Sequence, residues 1–304
     1  MTQPPFHGPI VTLFRGNTWF LPYTLYQARK ANPTAEIILL GDHQNRHLGC
    51  ICTHHRCDQY ATSAERLKRV YRHKSIWGHD FEYVCIERWF ILAEFMEKEG
   101  LTSCLYLDSD ILVYNDLTAA AREFPPFEMT WTGYSAHINF IADRSALNKY
   151  CDFVVDTFLN HESSILDHDL LYSKISNGEL ESNISDMSFF FDFNTKHPGH
   201  LLNIAEPRNG TIFDITIEEP QGMLMENGFK KIIWKDRWTP FATDASTLES
   251  IRLHTIHFWT KSLIKTYFRG QDSKFIFVHI LALAVLFSQK IVRKLKKIAQ
   301  RLMT

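Results

Sequence analysis

Two carboxylates one residue apart, Asp108 and Asp110, are the residues of this 304-residue sequence best suited to chemistry. Asp108-Ser109-Asp110 directly follows the apolar run Cys104-Leu105-Tyr106-Leu107 and precedes a second run, Ile111 to Tyr114. Open α/β sheets bind ligands beyond the carboxyl ends of their strands, so a carboxylate pair at a strand end suits a site. Carboxylates this close repel each other. A hard divalent cation, Mn²⁺ or Mg²⁺, relieves the repulsion with oxygen ligands. It can also bridge a diphosphate and neutralise charge on a departing nucleotide. A simple turn is the alternative, because Asp and Ser favour turns. The apolar runs on both sides argue against it.

Other residues could share such a site, each with a plainer reading beside it. Arg88 lies on the helix before the Asp-x-Asp strand and can pair with a diphosphate or with Asp108; a solvated helix face competes. Thr12, Phe14, Arg15, Gly16 and Asn17 close the first apolar run, where a base-and-ribose pocket or an ordinary turn could form. Asp186, between Ser185 and Phe189-Phe190-Phe191, could deprotonate or orient an acceptor hydroxyl. It could equally cap a helix. Asn139 offers an amide for sugar hydroxyls. His47, Cys50, Cys52, His54, His55 and Cys57 have the composition of a zinc site but lack its paired Cys-x₂-Cys spacing, so no zinc is expected.

The elements that must position these residues read as α/β. Pro9 to Phe14 and Glu36 to Leu40 are short buried strands. Between them Trp19 to Ala31 has helical spacing, stopped by Asn32-Pro33. That strand, helix, strand order predicts a parallel sheet. Glu87 to Lys98 is an amphipathic helix closed by Gly100, and Ser103 to Leu107 is the next strand. Met129 to Gly133 and Ala136 to Ala142 are strand candidates. Ser145 to Phe158 reads as a helix with Ser145 as N-cap. Residues 200–240 mix short strands and turns, and Leu253 to Trp259 is a strand.

A net charge of −1 gives no support to nucleic-acid binding. Met1 to Pro9 does not resemble a secretory leader, and Cys85 and Cys104 sit in apolar patterns, so free thiols in a reducing cytoplasm are expected. Phe275 to Phe287 is almost wholly apolar and is followed by Lys290, Arg293, Lys294, Lys296, Lys297 and Arg301. The run is shorter than the roughly 18–20 residues that cross a bilayer. Peripheral contact with the inner face of a membrane is expected instead, against the alternative of a terminal core helix.

Glu87 to Leu117, the early Ile10 to Asp42 stretch, His137-Ile138-Asn139-Phe140 with Arg144-Ser145-Ala146-Leu147, Ser185-Asp186-Met187-Ser188, and His254-Thr255-Ile256-His257-Phe258-Trp259 together resemble GT-A glycosyltransferases. The likeness is to bacterial, glycosyltransferase-family-8-like enzymes that use nucleotide-sugar donors. It implies a Rossmann-like, mostly parallel sheet flanked by helices. Residues 1–270 would form the catalytic domain, with a nucleotide-binding half to about 118 and an acceptor half beyond; 271–304 would be a helical tail. It implies Asp108 near the ribose and metal with Ser109 beside it, Asp110 as a direct metal ligand, and His257 rather than His254 as the third ligand. The family's His-Phe-x-Gly motif is altered, because Thr260 stands where glycine is usual. Lys261 or Lys265 would then reach the diphosphate.

The activity so implied is transfer of a sugar, UDP-hexose being the expected donor, to a hydroxyl of a glycan or glycolipid. Asp186 would act as base if the anomer inverts, and none is required if it is retained; the likeness leans towards retention. A nucleotidyltransferase would open with a Gly-rich basic loop, of which Arg15-Gly16-Asn17 is a poor version. A non-catalytic sugar-nucleotide binder would bind donor without releasing nucleotide. A metal hydrolase would not need the long acceptor half.

Overall fold

The computed structural model describes residues 6–75, 77–133, 135–161 and 184–302. Strands β1 (Ile10–Leu13) and β2 (Ile37–Gly41) are buried at every position. Unbroken apolar runs of that length suit strands covered on both faces. Helix α1 (Leu21–Ala31) crosses between them, two residues later than its spacing predicts at the start. Pro22 sits in its first turn, where a missing N–H costs nothing. Asn32 ends it: its N–H bonds the Ala28 carbonyl and its Oδ1 accepts from the Leu117 N–H.

The chain continues through β3 (Thr53–Arg56), α2 (Ala64–Val70), α3 (His79–Lys98), β4 (Cys104–Leu107), β5 (Ile111–Val113) and α4 (Leu117–Ala121). Next come β6 (Met129–Trp131), β7 (Ile138–Ile141), α5 (Arg144–Asp156), α6 (Asp186–Lys196), β8 (Leu201–Asn203) and β9 (Thr211–Phe213). The last part holds β10 (Met225–Glu226), β11 (Phe229–Lys230), β12 (Ile233–Trp234), β13 (Pro240–Thr243), β14 (Ser250–His257), α7 (Ile264–Tyr267) and α8 (Ser273–Leu302).

Seven strands form the main sheet in the order β3-β2-β1-β4-β7-β6-β8, and only β7 runs against the rest. This is the mostly parallel, helix-flanked α/β fold with a C-terminal helix that the sequence predicts. Alternate side chains serve two cores. Ile10, Leu39, Leu105 and Phe140 pack on the α1 side. Val11, Ile38, Leu40 and Tyr106 pack on the side of α3, α5 and α6. In α3 the side chains of Trp89, Phe90, Leu92, Phe95 and Met96 are fully buried, each contributing about 1.5–3 kcal/mol. Gly100, at φ 67°, lets the chain turn back so that the Leu101 N–H reaches the Met96 carbonyl.

Four local expectations change. Helix α3 starts at His79, a turn or two before its apolar stripe becomes regular. Helix α5 is capped by Asp143, whose carboxylate accepts from the Ser145 N–H, so Ser145 lies inside the helix. Strand β14 begins at Ser250 and ends at His257. Finally, α8 holds a 20-residue stretch, Ser273–Val292, long and apolar enough to cross a membrane. The stretch takes in Lys274 before the apolar run and Ser288, Gln289 and Lys290 after it, so its length exceeds Phe275 to Phe287.

Candidate active site

Strand pairing assembles the site. After β4 the chain passes through Asp108-Ser109-Asp110 and enters β5, which leaves the main sheet to pair antiparallel with β14. Ile111 lies opposite His257, so His257 arrives beside Asp110. The Phe258 N–H donates to the Asp110 carbonyl at 3.2 Å, holding the two segments together. His257 Nε2 stands 3.4 Å from Asp110 Oδ1. Lys261 Nζ donates to Asp110 Oδ2 and, at 2.8 Å, to the Phe258 carbonyl.

Asp108 faces the other way. Its Oδ1 accepts from the Arg88 guanidinium and, at 2.9 Å, from the Tyr106 hydroxyl. The second arm of the same guanidinium reaches Asp186 Oδ2 at 2.5 Å. Arg88 therefore clamps Asp108 on the sheet to Asp186 at the start of α6. Arg88 takes its pairing with Asp108 as the sequence suggests. Asp186 does not cap α6. Ser185 does, in a reciprocal bond with Ser188.

Charge is distributed unevenly. Burial pushes the Asp110 carboxyl up, but His257 and Lys261 outweigh it and hold it below the ordinary carboxylate range. Burial opposes charging of His257, and the Asp110 carboxylate overcomes it and raises the imidazole. Burial raises Asp108 against the pull of Arg88, with Asp110 adding repulsion.

A buried shell supports His257. Its Nδ1 contacts the Ile215 carbonyl at 2.6 Å; a carbonyl only accepts, so Nδ1 carries hydrogen. In the neutral ring the Nε2 lone pair then faces Asp110, the arrangement of a metal-binding histidine. The His257 N–H donates to Asp214 Oδ2 at 3.0 Å. Asp214 Oδ1 accepts from Lys230, whose other partners are the Thr216 carbonyl at 2.9 Å and Gln221 Oε1 at 2.8 Å. Three donors thus meet three acceptors. His137 stacks on His257 with centroids 4.4 Å apart. Burial, with His257 nearby, drives the His137 imidazole well below its ordinary value, leaving it neutral.

The remaining predicted residues divide. Thr12 is buried on β1, and Phe14 packs edge-on against Phe20. Arg15 pairs with Glu87 at 2.5 Å, and Gly16 N–H donates to Asp42 at 2.8 Å, which fixes the loop after β1. The Ser109 carbonyl accepts from Thr24 at 2.9 Å. Asn17 contacts Gln289 of α8 at 3.4 Å, and Lys265 lies over the Trp19 ring at 4.8 Å, so Lys261 rather than Lys265 meets the carboxylates. Asn139 is fully buried and its Oδ1 accepts from the Thr130 N–H, so it ties β7 to β6 and is sealed from a sugar hydroxyl. His254 is buried against Phe213, bonded to Asn115, and held neutral by burial down to about 4.

Sequence reasoning missed Tyr106, Asp214, Lys230 and Glu82. Glu82 is buried beside Asp186, accepts its N–H at 3.3 Å, and is pushed up to about 7 by burial and that neighbour. Lys230 in Gly228-Phe229-Lys230-Lys231 looks like an exposed hairpin lysine, and nothing local marks it.

Among the described residues no three His, Cys, Asp or Glu side chains form a ready cation site. Asp110 and His257 suit one in part: Asp110 Oδ1 is buried with no hydrogen-bond partner and faces the imidazole. The Asp108 Oδ1 is committed to Arg88 and Tyr106 instead. Among the described residues the cysteine- and histidine-rich segment forms no such group, and its cysteines are free. Strand alternation sends His54 to Asn45 and His55 to Tyr60. Cys104 is buried as expected, whereas Cys85 is half-buried.

No protein-family model and no curated protein matches the chain. Among solved structures it is similar to mouse xyloside xylosyltransferase 1 in its apo form, at 8% identity over 64% of this chain and 84% of that one, with a TM-score of 0.44. It is similar to the PaToxG glycosyltransferase at 11% identity over 64% of this chain and 71% of that one, TM-score 0.38. It is also similar to the apo-form glycosyltransferase GlyE of Streptococcus pneumoniae TIGR4 at 14% identity, 93% and 64% coverage, TM-score 0.38. These are likenesses of chain path, and nothing about substrate follows from them.

Proposed function

We propose that the protein is a GT-A-type glycosyltransferase that moves a sugar from a nucleoside-diphosphate donor to an acceptor hydroxyl. The reading is carried by one observation. Asp110, at the carboxyl end of a sheet strand, meets an imidazole and an amine delivered by the C-terminal strand and the turn after it. Asp110 and His257 would hold a divalent cation, Mn²⁺ or Mg²⁺, with Asp108 nearby. When bound, the cation supplies positive charge to the diphosphate. Lys261 is bonded to Asp110 and sits on the same edge, where its ammonium can neutralise charge on the departing nucleotide.

Asp186 takes a different role from the general base expected if the anomer inverts. One of its oxygens is held by Arg88, so it acts by positioning Arg88 and through it Asp108. Retention, which needs no separate base, fits this arrangement better. Thr12, Phe14 and Arg15 line the end of β1 where the base and ribose would lie.

Calorimetric titration with UDP, with and without Mn²⁺, tests the reading. Metal-dependent binding that vanishes in Asp110→Ala supports the donor site, and release of free UDP with acceptor present separates a transferase from a passive binder. If neither UDP nor another nucleoside diphosphate binds under either condition, the reading is wrong.

A further inference from the structure

We propose that α8 lies in the plane of an anionic membrane surface and docks the protein there. Helix α8 has two apolar faces. Phe275, Val278 and Ala282 recur at helical spacing and are buried on the domain, where Phe275 meets Tyr23, Tyr26 and Phe268. The opposite face carries Ile276, Phe277, Ile280, Leu283, Phe287 and Ile291. Phe277 is 68% exposed, Ile280 61% and Phe287 67%. At about 100° per residue these six fall on one stripe, turned away from the packed one. An exposed apolar stripe of this length marks a surface that something covers.

Charge identifies the cover. Every charged residue from Ser273 to Thr304 is basic. Lys290 and Lys294, one turn apart, lie at the border and the C-terminal end of that stripe, and the sequence beyond them adds further lysines and arginine. Apolar residues beside a basic flank match the acyl boundary and the anionic headgroups of a lipid surface. A second protein surface would need a long acidic flank to match.

The packing also decides how the helix meets the bilayer. Ser273–Val292 is long enough to span, yet contacts just before it, at His279 and at Gln289 tie it to the domain. Asp272 pairs with Lys30 at 2.7 Å, His279 contacts the Tyr23 hydroxyl at 3.2 Å, and Gln289 donates to the Gln44 carbonyl at 3.0 Å. A segment so held lies on a membrane and does not cross it. Its course runs antiparallel to α1, and at Gln289 it passes Asn17 and Gln44, in the loops after β1 and β2. Asp108 and Asp110 follow β4 at that same edge of the sheet. If the transferase reading holds, a lipid-linked acceptor would reach the site from this side; the docking itself does not depend on that reading.

Flotation of the full chain with phospholipid vesicles tests the proposal. Wild type should float with vesicles containing anionic lipid, bind neutral phosphatidylcholine vesicles about tenfold less, and be released by salt and alkaline carbonate. Ile280→Asp with Phe287→Asp, on the exposed stripe only, should lose flotation while keeping the wild-type melting curve. Lys290→Glu with Lys294→Glu should lose the anionic preference. Binding that resists carbonate and ignores lipid charge would mean a spanning segment and overturn the proposal. So would wild type that stays with the soluble fraction, including as a dimer in sedimentation, since the stripe would then be covered by a second copy. UDP calorimetry on the same samples reports the donor site separately, so either idea can fail alone.

Discussion

Lys230→Met should be among the most damaging single changes far from the surface. Lys230 and Asp214 side chains are each 1% exposed. Methionine fills most of the stem's volume but leaves the Asp214 carboxylate, the Thr216 carbonyl and Gln221 Oε1 without their donor. Breaking one side of a buried ion pair costs about 3–5 kcal/mol. A domain's total stability is about 5–15 kcal/mol, so the loss is a large part of the whole. With a urea m-value of about 2–3 kcal/mol/M, the unfolding midpoint should fall by roughly 1–2 M. Adding Asp214→Asn removes the stranded charge, and the asparagine's amide oxygen, set where Asp214 Oδ2 stands, still accepts the His257 N–H. The double variant should therefore recover part of the loss, giving coupling of about 1–3 kcal/mol in a double-mutant cycle. Equilibrium urea unfolding of the four proteins measures this. A single variant within about 1 kcal/mol of wild type, or losses that simply add, would refute the claim that a buried pair buttresses His257.

Glu82→Gln should change how stability depends on pH. The native carboxyl is pushed up to about 7 from an ordinary 4.5, so between those values the native state holds a proton that the unfolded state releases. Stability contributed there falls as pH rises, by up to about 3 kcal/mol for the shift, and glutamine removes that fall. The variant should match wild type near pH 4 and exceed it above pH 7 in thermal melts; a difference that does not vary with pH would contradict the assignment. Gly8→Ala should lower the melting temperature by about 3–10 °C, because its Cβ would stand 2.5 Å from the Ser103 carbonyl oxygen and 2.6 Å from the Cys104 Cα at the start of β4. An unchanged melting temperature would show that the backbone there yields easily.

Local pattern carried much of the fold. The strand, helix, strand opening, the apolar stripe of α3 and the Asp-x-Asp at a strand end all follow from periodicity over a few residues. The Arg88–Asp108 pair was also legible, since the helix that carries Arg88 runs directly into the strand that Asp108 follows. What stayed hidden depends on contacts between distant segments. Asp214 and Lys230 show their meaning only when β11 folds over the Asp214 turn. Asn139 looked available because its burial is created by β6 and β4 on either side. Ser145 lost the cap to Asp143 because the acceptor's orientation, not its residue type, decides which one bonds. His257 was indicated by resemblance, and no local feature of β14 separates it from the buried His254.

The pairing of β5 with β14 sets an order of events during synthesis. Asp110 is made early, but its partners come from the last fifth of the described chain. Until residues 250–261 have left the ribosome, β5 has an open edge and the carboxylates have neither imidazole nor ammonium to face. Nascent chains would carry an incomplete site and an unpaired strand that invites wrong partners. Contacts of such long separation also slow folding. Competence for chemistry would therefore arrive late and abruptly, with the docking of one strand.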